Sequence, residues 1–198
     1  MDRARLFPAG SLIVGLPIAG LPIAGLPASN SETHKPSTTA AQHVRIASIA
    51  ARAEDVSSID GIMEAYYDAV SGPAGQPRQW ARESTLSKPG TQFVVIMDDE
   101  KGKPILLQLT HQQFADTMNP DAVKNGFFEH EIHRITHRYG SWAHVISTSE
   151  SRARLTGPIT GHGIDNVELF WDGMRWWITY ASVTFERVGE PIPKEFLP

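Results

Sequence analysis

The chain of 198 residues contains no cysteine. That excludes disulfide staples, thiolate metal sites and a cysteine nucleophile, and it leaves the redox compartment open. Positive charge is also short: 18 Lys and Arg stand against 22 Asp and Glu, a net charge of −4. No basic stripe is available for a phosphate backbone, so nucleic acid is not expected as a partner. The chain also lacks a Gly-x-Ser-x-Gly elbow, a Gly-x-Gly-x-x-Gly turn and a Gly-Lys-Ser/Thr phosphate loop. Serine hydrolase chemistry and nucleotide use therefore have no support.

Charge is missing altogether from one long run. After MDRAR, the stretch LFPAGSLIVGLPIAGLPIAGLPAS carries no charged residue, and the first one beyond it is Glu32. A basic start, an apolar run and then small residues resemble a secretory signal over residues 1–28, with cleavage near Ala28. The prolines of the repeated GLPIA unit argue against a membrane-spanning helix, because each removes a backbone hydrogen bond. SNSETHKPSTTAAQH is polar and rich in Ser, Thr and Pro, so residues 29–54 are expected to form a flexible linker. The resulting expectation is an exported protein, periplasmic or secreted, with one folded domain over residues 55–198.

In the folded part, Val56, Ile59, Ile62, Met63, Tyr66, Tyr67 and Val70 recur at helical spacing. Ser57 is placed to cap that helix, with Asp60 three residues on, and Gly72-Pro73 ends it. PRQWARESTL predicts a short second helix with Pro77 in its first turn and Trp80 as core anchor. Thr91 to Met97 predicts a strand, DDEKGK a turn and PILLQL a second strand. Thr110 then caps a third helix, HQQFADTM, which stops before Asn119-Pro120.

From Phe127 onward the chain predicts antiparallel strands. Asp172-Gly173 suits a two-residue type I′ turn, which pairs Trp171 with Met174, Leu169 with Trp176, Val167 with Ile178 and Asp165 with Tyr180. Asp165 then shares a strongly apolar face and must be paired, protonated or lining a cavity. Gly140-Ser141 suits a type II′ turn, pairing Tyr139 with Trp142, His137 with His144, Ile135 with Ile146 and His133 with Thr148. Strict alternation places Glu129, Glu131, His133, His137, Trp142 and His144 on one face, and Arg134, Arg138, Val145 and Ser147 on the other. His133, His137, His144 and Glu131 form a ligand set suited to zinc or iron. Residues i and i+4 on a strand, however, lie ~13 Å apart at about 3.3 Å per residue, so no metal site is expected and no cofactor is implied.

The segments AYYDAVSGPAGQPRQW, FFEHEI, GSWAHVISTSESR, GIDNVELFWDGMRWWI and IPKEFL resemble a group of exported bacterial proteins of the nuclear-transport-factor-2-like superfamily. The resemblance spans about Asp55 to Leu197 and implies an α+β fold. In it a strongly curved antiparallel sheet wraps three N-terminal helices and leaves one cone-shaped pocket. Within the superfamily are ketosteroid isomerases, scytalone dehydratase and polyketide cyclases, and homodimers are frequent. Glu131 and His144 match the group's pattern, Asp165 stands where an asparagine is usual, and His133 and His137 depart from it.

The function expected is binding of a small hydrophobic molecule, with Tyr66, Tyr67, Glu131, His133, Trp142 and Trp177 lining the site. The alternative is a cofactor-independent isomerase, dehydratase or cyclase. It would use His144 and Asp165 as an acid–base pair on adjacent strands, with Glu131 and a tyrosine assisting.

Overall fold

A computed structural model describes residues 43–99 and 101–198. The expected leader, and the linker as far as residue 42, lie outside the described residues. Among the described residues no helix is long and apolar enough to cross a membrane.

Two helical segments open the domain, α1 (Ala53–Val56) and α2 (Ile59–Val70). The cap of α2 is Ser58, whose side chain accepts from the Gly61 amide at 2.9 Å. Ser57 does not serve, because its backbone is helical (φ −82°, ψ −18°) and closes α1, whereas Ser58 is extended as a cap must be. Helix α3 (Trp80–Leu86) begins three residues after Pro77. Its anchor Trp80 is buried and donates from Nε1 to Asn119 Oδ1 at 2.8 Å. Strands β1 (Ser87–Asp98) and β2 (Pro104–Thr110) form a hairpin.

Helix α4 (His111–Asn125) starts with a reciprocal capping box between Thr110 and Gln113. It continues through Pro120 instead of stopping before Asn119. Pro120 cannot donate to the carbonyl four residues back. Contacts to the α2–α3 connection hold the rest of the helix: Trp80 binds Asn119, Arg78 donates to the Ala122 carbonyl at 2.5 Å, and the Gly75 amide donates to the Val123 carbonyl at 2.7 Å.

Strands β3 (Phe128–Tyr139), β4 (Trp142–Arg152), β5 (Ile159–Trp171) and β6 (Trp176–Phe185) form a meander. All six strands make one curved, unclosed sheet in the order β2-β1-β6-β5-β4-β3. The α+β architecture is the expected one. Neighbours are antiparallel except β1 and β6, which pair in parallel.

The β3–β4 turn is as expected. Gly140 takes φ +57°, and Tyr139–Trp142, His137–His144, Ile135–Ile146 and His133–Thr148 are partners. Further down, Glu131 pairs with Ser149, so Ile132 is an extra residue, a bulge. That bulge reverses the faces. Glu129 and Glu131 turn to the side of Arg134, Val145 and Ser147, away from His133, His137 and His144.

The β5–β6 connection is longer than two residues. Trp171 pairs with Trp176, and Asp172 closes the loop by accepting from the amides of Met174 and Arg175, each at 2.9 Å. The change of register by two preserves which face each residue takes. A second bulge, at Thr179, then sends Tyr180 outward opposite Glu168 and brings Val183 opposite Asp165.

Helix α2 lies on the inner face of the sheet. Ile62, Met63, Ala65, Tyr66 and Tyr67 pack there with Leu86, Phe93, Val145, Val167, Leu169, Trp176 and Ile178. Each such large apolar side chain contributes about 1.5–3 kcal/mol by leaving water.

Candidate functional site

Beneath α2 the inner face becomes polar. Along β4 the inward residues run Ala143, Val145, Ser147, Ser149, and along β5 Leu169, Val167, Asp165. At that level the sheet meets the two tyrosines of α2. Asp165 is 3% exposed. It accepts from Tyr66 on Oδ1 and from Tyr67 on Oδ2, each at 3.1 Å. Tyr67 also donates to Ser147 Oγ at 2.7 Å, and Ser147 donates to Glu131 Oε1 at 2.5 Å. Ser149 Oγ lies 3.0 Å from Glu129 Oε1 and 3.5 Å from Asp165 Oδ2. Arg134 clasps both oxygens of Glu131 through Nε, at 2.8 and 2.9 Å, and reaches Asp60 Oδ1 at 2.5 Å.

Burial governs the protonation of this cluster. It raises the carboxyl of Asp165 above the usual range, an effect the donors Tyr66, Tyr67 and Ser149 offset in part. Glu129 rises as well, first from burial and then from the charge of Asp165 beside it. Two neighbouring acids that both resist ionisation hold a proton between them at mild pH. Burial, and after it the Asp165 charge, raises both tyrosines far above their ordinary value, so they act as donors and not as phenolates.

The expected partner of Asp165 lies elsewhere. His144 sits opposite Glu168 on the outer face, whereas Asp165 sits opposite Ser147 on the inner face. A His144–Asp165 acid–base pair does not form, since three positions along a strand reverse the side-chain direction. His144 instead lies between the rings of His137 and Trp142, at 6.4 and 6.3 Å.

Of the residues expected to line a ligand site, the structure brings Tyr66, Tyr67 and Glu131 together with Asp165. His133, Trp142 and Trp177 are on the outer face, opposite Thr148, Phe170 being the partner of both tryptophans. Trp142 donates to Glu168 Oε2 and Trp177 to Asp172 Oδ2, each at 2.6 Å. Glu129, Ser147, Ser149 and Arg134 are the members that sequence reasoning missed. The signal for two of them was present: Ser147 and Ser149 continue an inward series that opens with Ala143 and Val145.

A cavity of about 350 Å³ opens at the other end of the sheet, lined by Ser57, Ser58, Ile59, Asp60, Arg138, Trp171 and Trp176. It is ~20 Å from Asp165 along β5, at about 3.3 Å per residue. The Trp171 and Trp176 rings lie 5.6 Å apart, and the Arg138 guanidinium sits 5.0 Å from the Trp176 ring centre. Among the described residues Arg138 joins no ion pair, while Asp60 is tied to Arg134.

A second buried pair joins α3 to the start of α4, where Glu83 contacts His111 Nε2. Burial lifts Glu83 to about 8 and lowers His111 to about 4, so the contact links a neutral acid to a neutral imidazole. Among the described residues no three His, Asp or Glu side chains converge as a metal-binding group.

No protein-family model matches the chain, and no curated protein matches it in sequence. Several solved structures are similar in fold. A protein of unknown function from Mycobacterium tuberculosis aligns at 15% identity over 70% of this chain and 80% of its own, with a TM-score of 0.49. An NTF2-like protein of unknown function from Silicibacter pomeroyi aligns at 14% identity over 66% and 94%, with a TM-score of 0.45. A hexachlorocyclohexane dehydrochlorinase from Novosphingobium barchaimii aligns at 10% identity over 72% and 93%, with a TM-score of 0.48.

Proposed function

We propose that this chain binds a small molecule in the cavity at the N-terminal end of α2. The observation that carries the reading is the cavity itself. Its volume of about 350 Å³ is within the range of ligand sites, roughly 300–1,000 Å³. Two indoles supply an apolar wall, and Ser57, Ser58 and Arg138 supply polar groups to orient a guest. The ligand best suited is a planar, largely apolar molecule with an anionic group directed at Arg138.

Tryptophan fluorescence titration with matched aromatic carboxylates and their amides tests this. Binding of the carboxylates, weakened by Trp171→Ala and stripped of its preference over the amides by Arg138→Gln, is expected. A wild-type signal that no compound changes would discard the reading.

A second reading is a proton-transferring isomerase, dehydratase or cyclase. What favours it is the buried acid pair Asp165 and Glu129 with two tyrosine donors, Glu129 standing where His144 was expected. The burial of Asp165, and its distance from the cavity, place this reading second. Turnover abolished by Asp165→Asn would reverse the order.

Export, and a homodimer formed through the outer face with its exposed Trp142, Phe170 and Tyr180, complete the proposal. Signal-dependent secretion and light scattering test them in turn.

A further inference from the structure

Asp165 is sealed from water, yet one row of hydroxyls leads away from it toward solvent. Tyr67 is 3.1 Å from Asp165 Oδ2, Ser147 is 2.7 Å from Tyr67, and Glu131 is 2.5 Å from Ser147. Tyr67 and Ser147 are themselves buried, and the Glu131 side chain is 20% exposed. We propose that this row is a proton relay, and that Asp165 exchanges its proton with solvent through Tyr67 and Ser147, with Glu131 as the port.

The chemistry balances. A hydroxyl both donates and accepts, so each relay member can take one proton as it passes another on. Asp165, as the neutral acid, gives its proton to the Tyr67 oxygen. Tyr67 passes its own to Ser147 Oγ, and Ser147 passes its own to the Glu131 carboxylate. Asp165 is left ionised, both hydroxyls are restored, and Glu131 releases the proton to water. The links from Tyr67 to Ser147 to Glu131 already run this way in the structure, and the first link reverses when the neutral Asp165 donates to the Tyr67 oxygen and the single phenol hydrogen stays on Ser147.

The groups facing Asp165 are few. Tyr66 and Tyr67 come from α2, Glu129 and Glu131 from β3, Ser147 and Ser149 from β4, and β6 contributes the apolar Val183. Glu83 on α3 stands beyond Tyr66. The competing route through Ser149 begins with a longer contact, 3.5 Å, and ends on Glu129, itself a carboxyl that resists ionisation. Tyr66 donates to Asp165 and to no other described side chain, so it is a dead end.

The test follows the infrared carbonyl stretch of protonated Asp165, assigned by its loss in Asp165→Asn, after rapid dilution into D2O at mildly acidic pH. In the wild type the band shifts within the mixing time. In Ser147→Ala and in Tyr67→Phe the shift slows by an order of magnitude or more, whereas in Ser149→Ala it stays fast. The sign separates a relay from mere packing. A variant that merely loosens the fold leaves exchange within the mixing time, whereas a cut relay brings it into the measurable range. Ser147→Thr, which keeps a hydroxyl, restores the rate. Two results overturn the relay: exchange in Ser147→Ala and Tyr67→Phe as fast as in the wild type, or no carbonyl band that depends on Asp165. The inference goes beyond the ligand reading and does not depend on the cavity being occupied.

Discussion

Single side chains set how this protein responds to pH. Glu83, Asp165 and Glu129 all have folded values raised by burial, so they hold protons in the folded state that the unfolded chain releases. Their stabilising effect is complete below the unfolded carboxyl value and is lost as pH rises, for Glu83 between 4.5 and about 8. His111 works in the opposite sense. Its folded value is depressed from 6.5 to about 4, so its share is present above 6.5 and is lost as pH falls. Above 6.5 the carboxyls alone act. The melting temperature is therefore expected to fall as pH rises from 6.5 to about 8, and Glu83→Gln is expected to flatten part of that slope. Scanning calorimetry across the interval decides it, and a level wild-type profile would refute it. Tyr67→Phe removes the donor to Ser147 and the nearer donor to Asp165 Oδ2, and is expected to cost about 1–3 kcal/mol in urea unfolding. Tyr66→Phe, which strands one acceptor, is expected to cost less.

At the scale of elements, turns and caps were legible and bulges were not. Gly140 announced its hairpin because a type II′ turn needs positive φ at its first position, and glycine meets that at no steric cost. Thr110 with Gln113 announced the start of α4 in the same local way. Ile132 and Thr179 announced nothing, because a bulge is chosen by what the strand must present to its neighbours, and β-branched residues suit either arrangement. One unmarked residue reverses every side chain beyond it, which is why Glu131 was expected beside His133 and lies on the other face. Asp165 was read correctly as an anomaly on an apolar face, because β5 alternates without interruption from Asp165 through Val167 to Leu169. Deleting Ile132 is expected to turn Glu129 and Glu131 outward, strand Ser147, Ser149 and Asp165, and abolish the cooperative thermal transition seen by circular dichroism. Gly140→Ala meets no atom within 4 Å, so its expected cost of about 1 kcal/mol is purely one of backbone conformation.

For the whole molecule, the sheet is assembled from two parts of unequal reach along the chain. Strands β3 to β6 pair with their sequence neighbours, but β1 must wait for β6, the last strand, and joins it in parallel. Closing that long loop costs entropy before any contact repays it, so the seam is expected to form late in folding. Val95, buried on β1 opposite Val183, reports on it: Val95→Ala should speed unfolding and leave the refolding rate nearly unchanged in stopped-flow measurements. Gly140→Ala, in the local hairpin, should instead slow refolding. During synthesis the same parallel seam has a temporal meaning. Helix α2 and strand β1 emerge early yet have no completed surface to rest on until the chain has been made through Phe185, so the first half of the domain is the part exposed longest to chaperones and proteases.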